Sequence, residues 1–501
     1  MASSFPPIHA DSHIPAADCE PYLQGLRQHL VAKGCGLREV PPEESAVPYL
    51  VIEDFGTSGL EGDPAEDDIE GSDGDAHNYF YFWRNIARSG KGEDDRGRWG
   101  LGKSVFPASS RINSFFGLTV RASDGRRLLA GQAVLKIHRD DVGERCAPYG
   151  KFGLFTDTVN PDFGTPAEDS DYLDGFCELF KLQRGIGSGL SIVIPFPEEE
   201  LTPNEILLAV IEQYLHPILA RDLIVQMEDG DGVLTIDHDS IDTALDRIDF
   251  SAQKTDRQQL ERRLEFLRWI LAQGSSSCIE PAKAAELRAA PNWTKIGFAD
   301  DVIAEARSRF TDGGRIAFRI PTKVQPAGRV PVASHFCAYL ERDPLLEGYE
   351  SHYIREGIKI IGVEPRLPQG MRGVVVIEPG PLASMLGDSE NPAHTEWHKD
   401  SPKFKGRYEH APSCLNFVRD TLSRLVRELS PPAGTVDKEL LKDLFFLAVE
   451  QPSDSNTPRK KNKKGRDETD RPDPPPAPST PMLQVARIPG GLTIKRHPHA
   501  E

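Results

Sequence analysis

The chain has 501 residues, 38% of them hydrophobic, and a formal net charge of -18 at pH 7. That length accommodates about two to four domains. The acidic balance argues against a protein whose main task is to grip phosphate backbone, so nucleic acid is not the default partner. No run of about eighteen apolar residues occurs, which leaves no candidate for a helical membrane span.

The first segment, MASSFPPIHADSHIPAADCE, has neither a basic start nor an apolar core, so a secretory signal is not expected. The seven cysteines (Cys19, Cys35, Cys146, Cys177, Cys278, Cys337, Cys414) are scattered and none forms a CxxC pair. Neither a zinc knuckle nor a disulfide framework is indicated, and a reduced, cytoplasmic protein is expected.

In chain order, residues 20–33 read as a short amphipathic helix, and YLVIED (Tyr49–Asp54) as an apolar strand ending in acid. A polar, Gly-rich stretch runs to about residue 103, with the acidic run EGDPAEDDIEGSDGD at 61–75. Strands are expected at 115–121, 128–137 and 189–196. At 201–218, Thr202, Pro203 and Glu205 supply an N-cap, a first-turn proline and a capping-box acid for a helix. The Asp229-Gly230-Asp231-Gly232 sequence turns a hairpin over 222–236. Further helices are expected at 254–273, 281–289, 412–429 and 436–449, and strands near 315–320, 357–363 and 372–378. Residues 452–481 are too poor in large apolar side chains to bury a core and are expected to be disordered; they hold the basic run RKKNKKGR at 459–466. Strand character returns at 482–495 around a Gly-Gly turn.

The expected class is α+β. The expected domains are 1–200, a connector at 201–312, a second α+β domain at 313–450, a linker at 451–481 and a strand-like end at 482–501.

GRWGLGKS at 97–104 matches the phosphate-loop pattern G-x-x-x-x-G-K-[ST]. A phosphate loop must follow a buried strand, so that backbone amides at the next helix start face the phosphates. Here RSGKGEDDR precedes it, and Pro107 falls in the first turn of the required helix. Asp54-Phe55-Gly56 opens like the metal-binding motif of protein kinases, but no HRD-like loop precedes it.

The order of motifs points elsewhere. Asp54-Phe55-Gly56-Thr57-Ser58-Gly59 ends a strand, Gly97-x-x-Gly100-x-Gly102-Lys103-Ser104 follows, and Gly187-Ser188-Gly189-Leu190-Ser191 later enters a strand. This order resembles the GHKL ATPase superfamily of gyrase, heat-shock chaperones, histidine kinases and MutL, with the gyrase/MORC-like bacterial branch nearest in overall look. The resemblance covers about 45–200.

It implies a Bergerat-type α/β sandwich followed by a transducer-like domain, with ATP and Mg2+ as cofactors and a homodimer among the expected partners. Asp54 would contact adenine, with Gly56 and Gly59 in its glycine motif. Gly97, Gly100 and Gly102 would be lid glycines beside Lys103 and Ser104, and Ser191 or Ser188 would supply the late hydroxyl. The chemistry fits: an ionised carboxylate only accepts, so it selects an amino group, and glycine-rich backbone wraps phosphates with N–H groups.

Two departures stand out. D-x-G-x-x-G is one residue longer than the common D-x-G-x-G. The family's catalytic Glu and magnesium-binding Asn, spaced Glu-x-x-x-Asn, are not found; the first Asn is Asn78, and Glu20 with Gln24 is the only stand-in. The chain therefore lacks part of the family's N-terminus, binds ATP without efficient hydrolysis, or uses another base. Two functions follow from this reading: an ATP-driven switch in bacterial DNA transactions or phage defence, or a non-catalytic nucleotide-sensing scaffold.

Other features have ordinary readings beside their functional ones. The aromatic run YFYFWRNIAR (79–88) is core packing or a base-stacking surface. Trp83 and Trp99 read as packing residues. His394-x-x-x-His398 sits between prolines as loop rather than as a zinc motif. Lys323 and Lys359 are candidates for a transducer lysine that reaches the terminal phosphate.

Overall fold

The computed structural model describes residues 3–66, 77–84, 102–156, 160, 163–253, 255–274, 277–282, 290–391, 394–430, 483–488 and 491–496. Gly97, Gly100, Trp99, most of the acidic run, all but the first two residues of the helix expected at 281–289, and the segments expected at 436–449 and 452–481 lie outside them.

Strand β1 (Ser3–Ile14) leads into helix α1 (Ala16–Leu30) and strand β2 (Val47–Glu53). Short helices α2 (Asn78–Trp83) and α3 (Val105–Ala108) come next. Strands β3 (Ser114–Val120) and β4 (Arg127–Val134) precede three small ones, β5 (His138–Arg139), β6 (Arg145–Cys146) and β7 (Tyr149–Phe152). Helix α4 (Ser170–Leu179) and strand β8 (Gly189–Pro195) complete the first half of this unit. Its sheet has the order β10-β9-β1-β2-β8-β3-β4-β7, where β9 (Leu223–Asp229) and β10 (Gly232–Ile236) are the hairpin arms anticipated at 222–236. Only the β1–β9 pairing in it is parallel.

Alternation along β2 explains the layering. Val47, Tyr49 and Val51 face α1 and α4, where Tyr22, Phe176 and Phe180 close the core. Leu50 and Ile52 face the other side, against Phe82, Trp83 and Phe106. The aromatic run is thus at least partly packing: the Trp83 ring stacks on Phe115 at 5.4 Å between centroids.

Helix α5 (Pro203–Leu219) starts as its sequence dictates, with the Thr202 hydroxyl accepting the Glu205 N–H at 3.2 Å. Helices α6 (Ile241–Asp246), α7 (Arg257–Leu271) and α8 (Asp300–Thr311) follow. A second sheet runs β11-β12-β15-β13-β14, made of β11 (Ile316–Val324), β12 (Val332–Arg342), β13 (Tyr349–Arg355), β14 (Ile358–Lys359) and β15 (Met371–Ile377). Helices α8, α9 (Pro381–Ser389), α10 (Ala411–Arg419) and α11 (Thr421–Leu429) cover one face, and α5, α7 and β9 pack on the other. The fold is mixed α+β, built on mainly antiparallel sheets. Among the described residues, no helix is long and apolar enough to cross a membrane.

Residues 435–501 form a separate unit. Its described part is an antiparallel hairpin, β16 (Leu483–Ile488) and β17 (Gly491–Arg496).

Candidate functional site

The end of β2 and the turn entering β8 come together because the two strands pair antiparallel, with Glu53 opposite Ser191. The pairing continues one residue further. The Asp54 N–H donates to Leu190 O at 2.9 Å, and the Leu190 N–H returns to the Asp54 carboxylate at Oδ1. Thr57 Oγ1 donates to Asp54 Oδ2 at 3.2 Å, and the Ser188 hydroxyl donates to Thr57 O at 2.7 Å. The Asp54 side chain stays 29% exposed while the Arg184 side chain beside it is fully enclosed.

Two glycines have no alternative here. A Cβ on Gly189, at φ +138°, would fall 2.4 Å from Asp54 O and 2.6 Å from its Oδ1. One on Gly59, at φ +71°, would fall 2.3 Å from Val120 O. Thr119 ties the same backbones, donating to Gly189 O at 3.1 Å and accepting the Leu60 N–H at 2.8 Å.

Three participants escape a motif reading: Glu53, Thr57 and Arg184. Arg184 is fully enclosed. Its Nη2 reaches Asp54 O and Oδ1, its Nε donates to Ser191 Oγ at 2.7 Å, and its guanidinium lies 4.6 Å from the Phe55 ring centre. Burial pulls the Arg184 pKa down, and Asp54 and then Glu53 oppose that pull. Ser191 passes the interaction on, donating to Glu53 Oε1 at 2.6 Å, while the Gln183 N–H donates to Oε2 at 2.8 Å. Of the two late hydroxyls, Ser191 therefore serves Glu53, and Ser188 is bonded to the Asp54 loop. Arg184 had one sequence signal, as the cation just before the Ser/Gly turn; Glu53 had its place beside Asp54.

The other anticipated residues are placed as follows. Gly56 lies in the Asp54 turn at φ +75°. Gly102, Lys103 and Ser104 form a single 3-10 turn before α3. Lys103 Nζ donates to the carbonyls of Tyr81, at 3.1 Å, and Phe82, at the end of α2, and burial lowers its pKa to about 8. Glu20 is not near Asp54. Ile14, just before α1, pairs with Val47 at the start of β2, whereas Asp54 follows the end of that strand. Glu20 lines a groove with Glu43 and Glu44 and accepts from Arg27 Nε at 2.8 Å.

His394 and His398 serve different acids, Glu390 at 2.6 Å and Glu396 at 3.0 Å. Lys323 is half-buried on β11. Lys359 lines a small cavity with His216 and His352, and its pKa is lowered, first by burial and then by Arg263.

No family model matches the chain. No curated protein matches it either. Among solved structures, the ATPase region of Saccharomyces cerevisiae topoisomerase II is similar at 9% sequence identity and a TM-score of 0.28, over 84% of this chain and 79% of that one. So slight a likeness carries no functional assignment.

Proposed function

We propose that the chain is an ATP-binding protein of the GHKL type, with Asp54 selecting the adenine amino group. One observation carries this reading: Asp54 is an anchored yet open acceptor. A carboxylate offers about four lone-pair positions. Leu190 and Arg184 occupy Oδ1 and Thr57 takes one position on Oδ2, while the side chain remains 29% exposed. Such a group takes one further donor, as the adenine amino group offers. The missing Cβ at Gly189 leaves the backbone against which Asp54 is braced.

Gly97, Gly100 and Gly102, with Lys103 and Ser104, would close on the phosphates. Lys103 must leave the Tyr81 and Phe82 carbonyls to do so. Nucleotide would then shift the protein between open and closed states, the behaviour of a conformational switch. The DNA-transaction or phage-defence setting rests on the sequence resemblance alone.

A nucleotide sensor without turnover is favoured by a different observation. Glu20, the stand-in for the catalytic acid, belongs to the opposite end of β2 and is bonded to Arg27. Magnesium has no fitting pair of ligands of the family's kind among the described residues, so no step is assigned to it.

Equilibrium binding of ATP and GTP, with phosphate release measured in parallel, tests both readings. ATP binding preferred over GTP supports the adenine site, and equal binding of the two sinks it. Phosphate release that survives Glu20→Gln requires another base; no release identifies the sensor.

A further inference from the structure

We propose that His29, His138 and Cys146 form a binding site for a divalent cation of the zinc class. Nothing in a short motif announces it, since His29 and His138 are 109 residues apart. The fold assembles it from two elements. β5 and β6 pair His138 directly opposite Cys146, which brings both side chains out on one face of the small hairpin. The last turn of α1 supplies His29.

The geometry is that of a ligand set. His29 Nδ1 lies 3.0 Å from His138 Nε2, and one ligand atom from each of His29, His138 and Cys146 lies within 4.8 Å of the other two. A tetrahedral zinc with Zn–N of about 2.0–2.1 Å and Zn–S of about 2.3 Å needs nitrogens roughly 3.3 Å apart and sulfur slightly farther off. Small rotations of half-exposed side chains close that difference.

The surroundings are arranged as metal ligands require. His138 is buried, and its Nδ1 donates to Lys136 O at 2.8 Å, so Nε2 holds its lone pair toward His29 and Cys146. Lys136 is itself fixed, its N–H donating to Cys35 O at 2.6 Å, and the Cys35 thiol donates to Leu30 O at 3.2 Å. The loop after α1 and the strand end before the hairpin are thereby locked together.

Beside His138 lies an open groove of about 760 Å³ lined by Asp140 and Asp141 as well as Lys33, Arg139 and Arg145. It offers the fourth position to water or a carboxylate. Mixed nitrogen and thiolate donors select zinc-like ions over magnesium or calcium.

The competing account is a plain imidazole–imidazole hydrogen bond. It explains the 3.0 Å contact, and the β5–β6 pairing sets Cys146 opposite His138; a shared ion accounts for all three donors converging on one point, and among the described residues the Cys146 thiol has one further polar neighbour, Glu144 O at 3.8 Å. Binding has a proton balance: His29 moves its proton to Nε2, and the Cys146 thiol releases its proton to solvent.

The test uses the full chain, stripped with a chelator and titrated with Co2+. The expected result is about one equivalent bound, with the strong visible bands of a four-coordinate ion and a thiolate-to-cobalt charge-transfer band. Cys146→Ser abolishes the charge-transfer band, and His29→Gln weakens binding by at least about tenfold. Weak six-coordinate spectra, or a charge-transfer band that survives Cys146→Ser, overturn the proposal. Independently of any variant, Zn2+ titrated calorimetrically in two buffers of different ionisation heat releases about one proton per chain. Zn2+ binding without proton release, or no binding, also overturns it. None of these readouts depends on nucleotide.

Discussion

Glu53 and Ser191 face each other across the β2–β8 pairing, and the Ser191 hydroxyl donates to the Glu53 carboxylate at 2.6 Å. Among the described residues, the carboxylate has no other charged partner as close as Arg184, whose Nε is 4.0 Å away and bonded to the same hydroxyl. Both charged side chains are fully enclosed. Asp54, one residue on, is held by the same guanidinium from its far end. The adenine acceptor proposed above is thus braced by a buried ion cluster.

Breaking that cluster leaves an uncompensated buried carboxylate. Arg184→Met should destabilise the protein by about 3–5 kcal/mol. Ser191→Ala should cost less, about 1–2 kcal/mol, because it removes one neutral relay. Urea unfolding of both variants measures this; equal small losses would mean that Arg184 is not what holds Glu53.

Gly189 and Gly187 separate backbone necessity from turn flexibility. Gly189→Ala combines a left-handed φ with overlap on Asp54, and should cost about 1–3 kcal/mol or more in unfolding free energy. Gly187→Ala meets nothing within 4 Å and should stay within about 0.5 kcal/mol of the parent. Thermal unfolding of the two variants side by side decides it.

Much of this site was legible in the sequence, and for local reasons. YLVIED announced β2 because apolar side chains alternate to two buried faces, and the Ser/Gly turn announced the entry to β8. The Thr202 cap and the Asp229–Gly232 turn depend on residues next to each other in sequence and were equally readable. What escaped depends on distant pairing. β1 is not among the strands expected from the sequence; it carries Pro6 and Pro7, its register shifts between Phe5 and Ile8, and its parallel partner β9 lies some two hundred residues away. Arg184 lies one residue beyond Gln183, whose bond to Glu53 spans 130 residues of chain. The His29, His138 and Cys146 cluster is beyond pattern reading for the same reason.

Acid should loosen the packing of α5 on β13. Burial lowers the pKa of His216 to about 4 and that of His352 to about 4, from an ordinary 6.5. Between those values the unfolded chain binds the protons and the folded chain does not. Stability is therefore fully present above about 6.5 and is lost as pH falls toward 4, by a few kcal/mol for the pair. Unfolding free energy measured against pH should show this slope, and His216→Gln with His352→Gln should flatten it. An unchanged slope in the double variant would contradict the assignment.

The Arg355–Glu390 pair offers a second test of buried charge. Both side chains are fully enclosed, Arg355 Nη2 lies 2.9 Å from Glu390 Oε2, Arg355 Nη1 also pairs with Glu356, and Trp397 and His394 bond to Glu390. Arg355→Met alone should cost about 3–5 kcal/mol, and Arg355→Met with Glu390→Leu markedly less than the sum of the single losses. A double-mutant cycle in urea measures the coupling, and additivity would refute it.

The central claim is that Asp54 is the adenine acceptor. Its most direct test is calorimetric ATP binding by the parent chain and by Asp54→Asn, with thermal unfolding of each as the check on folding. The account predicts saturable ATP binding by the parent and loss of at least about tenfold in affinity in a variant that still folds, because the replacement amide has half the acceptor capacity and presents a donor of its own. ATP binding of equal strength in both proteins, or none in the folded parent, would contradict it.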